Sequence, residues 1–166
     1  MTDLSLRERQ APLKERYKQD PSAAIITLAA EGRLSDGVSC SVSTAKGMAV
    51  AGLHPATGGS GVELCSGDML LEALVACAGV TLSAVSTSLG IELRDATVRA
   101  EGDLDFKGTL AVDKESRVGF GDIRLTFALD TDASADEQAT LLKLTQRYCV
   151  VLQTLAQSPT LTVTQV

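Results

Sequence analysis

The sequence predicts one α+β domain, and three features support this fold class. A chain of 166 residues that is 45% hydrophobic and has no Trp suits one compact core built mostly of Ala, Val and Leu. Stretches in which apolar and polar residues alternate predict strands, and stretches with apolar residues every three or four positions predict helices. Their order is roughly α-βββ-α-ββ-α-β, which groups strands together and favours the α+β class.

The N-terminal part of the chain predicts a helix followed by three strands. Residues 1–21 predict a charged helical extension, because Asp20-Pro21 stops the helix, and residues 22–166 form the single domain. Turn signals at Gly32, Asp36-Gly37 and Lys46-Gly47 separate three stretches rich in β-forming residues, for which we expect an antiparallel meander: 24–30, 38–44 and 48–53.

A glycine-rich loop leads into the longest predicted helix. Residues 54–67 contain four glycines, a composition typical of loops that line sites. Ser66 and Asp68 supply an N-cap and an acidic first turn, and Gly90 supplies a C-terminal stop after Leu89. The helix between them is apolar on nearly all sides, so we expect it to be buried.

The last part of the chain predicts two strands, a helix and a closing strand. Residues 96–102 and 123–129 alternate, which predicts strands with one face in solvent. Residues 134–137 form a capping box that opens a helix with Cys149 on its inner side. Residues 160–164 predict the closing strand.

Charge and cysteine content exclude several classes of protein. The net charge of -6 leaves no basic stripe for nucleic acid. Residues 69–80 are too few to span a bilayer and the N-terminus has no apolar signal segment, so we expect a cytoplasmic protein without membrane or nucleic-acid partners. Four cysteines and the single His54 lack the spacing of a zinc site, so we expect reduced thiols and no metal.

Cys77 and Cys149 are the candidate reactive residues, because each faces inward on a predicted helix. A small buried hydrophobe is the ordinary role of such a cysteine. A redox role needs a thiolate favoured by a partner such as arginine, and a second thiol that condenses with the sulfenic acid. Cys149 is the candidate second thiol, and Cys65, near the positive end of the helix, is a rival for either role. Cys40 is expected to be structural, and His54 is expected to make an ordinary loop hydrogen bond, with ligand binding beside the glycine-rich loop as its alternative role.

The chain resembles a known superfamily through four features taken together. They are the glycine-rich loop, the acidic first helical turn, the run from Leu70 to Cys77, and Arg147-Tyr-Cys-Val-Val. This combination resembles the superfamily of osmotically inducible protein C and organic hydroperoxide resistance protein, OsmC/Ohr, over about residues 25–166.

The resemblance implies an OsmC-like fold, in which antiparallel sheets pack on two long cysteine-bearing helices of an intertwined homodimer. Each active site would lie at the subunit interface. The resemblance assigns Cys77 as the peroxidatic residue and Cys149 as the residue that resolves it. An external dithiol, such as a lipoylated protein, would reduce the disulfide, and no metal or flavin would be bound.

Two charged residues complete the site that the resemblance implies. The family's usual Pro-Glu at the helix start is replaced by Ser66-Gly67, so Asp68 is the nearest acid that could hold an arginine near the thiol. The family arginine comes from the segment between the first two strands, where Arg33 is the only arginine, and Arg147 is the second candidate. Such an arginine favours the thiolate and holds a peroxide oxygen.

The sequence therefore supports one main hypothesis and two others. The first is a thiol-dependent peroxidase that reduces apolar organic hydroperoxides through a Cys77 sulfenic acid and a Cys77 to Cys149 disulfide. The alternative is a non-catalytic protein of the same fold that binds an apolar ligand or partner at the dimer-interface pocket, with both cysteines merely packed. A redox sensor is a lesser third hypothesis.

Overall fold

The structure, a computed structural model, describes residue 19 and residues 31–35, 39–43, 48–111 and 113–165. These ranges contain strands and helices in mixed order, which confirms the α+β class. The elements are β1 Glu31–Ser35, β2 Ser39–Ser43, β3 Met48–Gly52, β4 Leu64–Cys65, α1 Ser66–Leu89, β5 Asp95–Leu104, α2 Phe106–Thr109, β6 Phe120–Asp130, α3 Ala135–Tyr148 and α4 Val150–Ala156. The predicted extension over residues 1–21 lies outside the described residues apart from Gln19.

The first sheet contains an antiparallel meander, in which β2 and β3 match two of the predicted strands. Strands β1, β2 and β3 pair antiparallel in sequence order, and the short β4 pairs parallel with β3. The prediction that Gly32 marks a turn is wrong, since Gly32 lies within β1 opposite Val42. The other predicted turn signal, Asp36-Gly37, follows the end of β1 at Ser35 in the sequence and lies outside the described residues. Residues 24–30 lie outside the described residues.

The second sheet is a long hairpin whose two faces differ. Strands β5 and β6 pair antiparallel from Asp95 opposite Asp130 to Leu104 opposite Phe120. The side chains that alternate toward the helices are half-buried, and the opposite face is exposed, as predicted. The inward positions that surround the buried core are Val98, Ala100, Ile123, Leu125 and Phe127.

Helix α1 is the central helix of the domain. Its N-cap is Cys65, one residue before the predicted Ser66. Its end matches the prediction, because Gly90 adopts a φ of 69° and donates its N–H to the carbonyls of Ser86 and Thr87. The prediction of burial on nearly all sides is wrong: one line of residues, including Leu74, is buried, and the opposite side is exposed.

The length of α1 also corrects the sequence argument about membranes. Its 24 residues and a mean hydropathy of 1.8 over 18 of them make it long and apolar enough to cross a bilayer. The helix extends beyond residues 69–80, on which the sequence argument rests, so its length does not by itself support that argument. In this fold, however, α1 contacts β5, α3 and α4, which is the packing of a core helix in a globular domain.

The C-terminal part of the chain departs from prediction twice. The second long helix is interrupted at Cys149, which separates α3 from α4. The predicted strand at residues 160–164 is an unpaired segment in which Leu161 is 82% and Val163 is 96% exposed. A strand forms only where another strand supplies its hydrogen bonds, and no described strand of this chain pairs with the segment.

Candidate functional site

The interruption at Cys149 creates the setting of the candidate site. Cys149 has φ -72° and ψ 104°, an extended conformation that ends α3 and begins α4. Its N–H donates to the carbonyl of Thr145 at 3.0 Å, and its carbonyl accepts from the N–H of Gln153 at 2.9 Å. The side-chain amide of Gln153 also donates to the carbonyl of Gln146 at 2.8 Å, which links the two helices across the break. Cys149 itself is fully buried.

Cys77 lies halfway along α1 and packs against the same core as Cys149. The fully buried members of this core are Leu74, Ala78 and Cys149, and Cys77 is a half-buried neighbour. The two thiols lie close enough for each to shift the pKa of the other. The structure therefore brings together two cysteines that are 72 positions apart in the sequence.

The two thiols differ in acidity. Burial opposes ionisation of Cys77, but the N–H groups of Val151 and Val150 and the thiol of Cys149 outweigh it, so that the pKa of Cys77 is lowered. Burial is also the main reason why the pKa of Cys149 is raised, and the neighbouring Cys77 adds to this effect. Cys77 is thus the better thiolate and Cys149 the better thiol donor.

Backbone N–H groups at the start of α4 are functional groups that the sequence analysis missed. The N–H groups of Val150 and Val151 are exposed toward Cys77 because the helical hydrogen-bond pattern restarts at Cys149. No Gly or Pro marks the break, and one extended residue barely changes the spacing of apolar positions. Only the backbone angles of Cys149 reveal these donors.

The structure gives Asp68 and the arginine candidates each a separate position. Asp68 is exposed in the first turn of α1, nine residues before Cys77, which is about 13.5 Å along a helix axis. It forms no ion pair with any residue that the structure describes. Arg33 lies in β1 opposite Ser41, which corrects its assignment to the segment between the first two strands. The guanidinium of Arg147 lies 5.8 Å from the ring centroid of Tyr148.

Cys65 lies apart from Cys77 and lines a cavity. It lies at the start of α1, twelve residues and about 18 Å along the axis from Cys77, beyond the roughly 7 Å between Cα atoms that a disulfide needs. With His54 and Asp68 it lines a cavity of about 330 Å³. The imidazole Nδ1 of His54 accepts the N–H of Ala56 at 3.0 Å, and the ring stacks on Phe106, so His54 has the structural role expected of it.

Within the described residue ranges, no group of three or more His, Cys, Asp or Glu side chains is arranged to hold a metal ion.

The sequence matches the model of a known protein family. The family model described as OsmC-like protein matches residues 58–164, a range that includes both Cys77 and Cys149 but not Arg33. No curated protein matches the chain by sequence.

Solved structures share the fold at low sequence identity. An OsmC-like protein from Mycoplasma pneumoniae is 14% identical with a TM-score of 0.67, and the match covers 80% of this chain and 89% of that one. An organic hydroperoxide resistance protein from Elizabethkingia anophelis is 16% identical with a TM-score of 0.64, covering 81% and 91%. A protein of the same description from Legionella pneumophila is 18% identical with a TM-score of 0.63, covering 81% and 92%.

Proposed function

Because the chain belongs to the OsmC-like protein family, we propose that it is a thiol-dependent peroxidase that reduces organic hydroperoxides. The observation that carries the proposal is the neighbouring pair of Cys77 and Cys149, which pack in one core cluster and whose pKa values are shifted in opposite directions. A peroxidase of this kind needs one thiolate and one neighbouring thiol. Solved proteins of similar fold that are described as organic hydroperoxide resistance proteins support the same assignment.

The reaction begins with the half-buried Cys77. Its thiolate attacks one oxygen of the hydroperoxide, the O–O bond breaks, and the alkoxide leaves and takes up a proton to become the alcohol. Cys77 is thereby oxidised to a sulfenic acid. The N–H groups of Val150 and Val151 stabilise the thiolate before the attack.

Cys149 completes the oxidative half of the cycle. Its sulfur attacks the sulfenic sulfur of Cys77, water leaves, and a disulfide forms between the two residues. An external dithiol, for which a lipoylated protein is our candidate, then reduces this disulfide by two thiol exchanges. The protein itself contributes no bound cofactor to this scheme. Its reduced resting state suits the cytoplasm.

We further propose that the working unit is a homodimer. Apolar side chains are exposed next to both cysteines: Val80, one turn after Cys77, is 72% exposed, and Val150, adjacent to Cys149, is 70% exposed. Exposed apolar side chains beside a site are typical of a surface that a partner covers. In this proposal Arg33 and Asp68 contribute to the site of the assembled dimer. Light scattering on the purified protein tests the proposal by measuring the molar mass, which should be that of two chains.

Peroxide oxidation of the reduced protein tests the assignment of the cysteines. Cumene hydroperoxide should remove two hydrogen atoms from the chain, and peptide mass spectrometry should locate a Cys77 to Cys149 disulfide. Cys149→Ser should accumulate a sulfenic acid that dimedone traps on Cys77, and Cys77→Ser should lose turnover. Cys65→Ser is the matched control and should keep full turnover. A wild-type Cys77 that stays reduced at millimolar peroxide would refute the peroxidase.

The same variants separate the alternative function. A non-catalytic protein that binds an apolar ligand or partner would keep that binding in Cys77→Ser, because its cysteines would only pack. No observation on the described residues favours this alternative over the thiol pair.

A further inference from the structure

The helix break at Cys149 separates a backbone donor from the carbonyl that it would meet in an unbroken helix. In an α-helix each N–H donates to the carbonyl four residues earlier, so the N–H of Val150 would donate to Gln146. In this structure the N–H of Val150 is directed toward Cys77 instead. The carbonyl of Gln146, in the last turn of α3, therefore lacks its helical donor.

Gln153 supplies a donor to this carbonyl from the far side of the break. Its side-chain amide donates to the carbonyl of Gln146 at 2.8 Å, and its N–H donates to the carbonyl of Cys149 at 2.9 Å. One residue of α4 thus bonds both to the end of α3 and to the residue at which α3 stops. The amide occupies the position that the N–H of Val150 would take if the helix were continuous.

We propose that Gln153 is a positioning residue that holds the break at Cys149 open. Its amide occupies the carbonyl of Gln146 and so keeps the N–H of Val150 available to Cys77. Without the amide, that carbonyl and that N–H would close the missing helical hydrogen bond, and Cys149 would turn toward a helical conformation. The inference rests on the proposed function, because the break matters only to a reaction of the Cys77 thiolate.

Two features of the break limit the size of the effect. The hydrogen bond of Gln153 joins neutral groups and is exposed to solvent, so its contribution is at the lower end of the usual range. Cys149 is fully buried in one cluster with Leu74 and Ala78, and this packing favours its present conformation independently of Gln153. We therefore expect removal of the amide to lower the thiolate fraction of Cys77 about threefold.

Alkylation of the reduced full chain by iodoacetamide over a range of pH tests the proposal without peroxide, because only the thiolate reacts. Gln153→Met keeps the length of the side chain and removes the donor. Its rate at Cys77 should be about threefold lower at pH 7 and equal to the wild-type rate at high pH, so that the midpoint of the pH profile moves upward. Gln157→Met, the same substitution at the exposed end of α4, is the matched control and should react like the wild type.

Val150→Pro distinguishes positioning from a general loosening of α4. Proline has no N–H that the carbonyl of Gln146 could recapture, so Gln153→Met should lower the rate no further in the Val150→Pro background. A further threefold loss in that background, or a wild-type pH profile for Gln153→Met alone, overturns the proposal. A wild-type Cys77 that does not react with hydroperoxide would contradict the peroxidase only, since the alkylation rates are measured without it.

Discussion

Val150→Pro removes one hydrogen-bond donor from the candidate site and leaves the surrounding backbone nearly undisturbed. Val150 is the first residue of α4, a position at which proline is well tolerated because its N–H has no helical partner. The residue before it, Cys149, already has the extended conformation that a following proline requires. The Val150 side chain is 70% exposed, so little packing is lost.

The expected effect follows from the hydrogen bond that disappears. A hydrogen bond to a charged group contributes about 1.5 to 3 kcal/mol, and a sulfur acceptor that is only half-buried justifies a lower figure of about 1 kcal/mol. The N–H of Val151 remains beside Cys77. The thiolate fraction of Cys77 at neutral pH should therefore fall about fivefold.

Alkylation by iodoacetamide reports this fraction, since only the thiolate reacts. The rate at Cys77, followed by peptide mass spectrometry, should fall about fivefold in Val150→Pro at pH 7 and should return to the wild-type rate at high pH. Val150→Ala keeps the N–H and serves as the control. Equal rates at pH 7 in the two variants, with unchanged circular dichroism, would refute stabilisation of the thiolate by this N–H group.

Three further predictions concern stability. Leu74→Ala should lower the free energy of unfolding by about 3 kcal/mol in urea, because Leu74 is fully buried, whereas Val118→Ala, at a 69% exposed position, should change it by under about 0.5 kcal/mol. Gly90→Ala should cost about 1 kcal/mol from backbone strain alone, since an added Cβ meets nothing within 4 Å while φ stays at 69°; an unchanged unfolding midpoint would contradict this. Hydrogen bonds from Arg124 lower the pKa of Asp103, so the ionised carboxylate stabilises the fold above about pH 4 and this contribution disappears as the pH falls further. Arg124→Gln should therefore be less stable than the wild type at pH 7, and the difference should shrink toward pH 2, as measured by urea unfolding across that range.

Local signals in the sequence were enough for the elements that depend on them. The Ser134 capping box places the start of α3, and Gly90 places the end of α1, because both act within one helical turn. The alternation in β5 and β6 correctly predicts a wet and a half-buried face. The resemblance correctly identifies the family, since the matched range includes both of its cysteine contexts.

The predictions from sequence failed where an element depends on groups far away in the chain. Residues 160–164 alternate as a strand does, but alternation does not supply a partner, and none of the strands that the structure describes pairs with them. Gly32 carries a turn signal, yet pairing with β2 holds it within β1. Apolar spacing in the second helix continues across Cys149 and therefore conceals the break.

The sequence by itself determined the fold class, the family and the inward-facing Cys77 and Cys149, because composition, periodicity and capping are properties of neighbouring residues. Only the tertiary structure decided that the two thiols meet, that Cys65 lies too far away to join them, and that Cys77 is favoured as the thiolate. The physical reason is that acidity depends on burial and on which donors surround the sulfur. Here the donors include backbone N–H groups, which every residue type except proline carries and which no sequence pattern distinguishes.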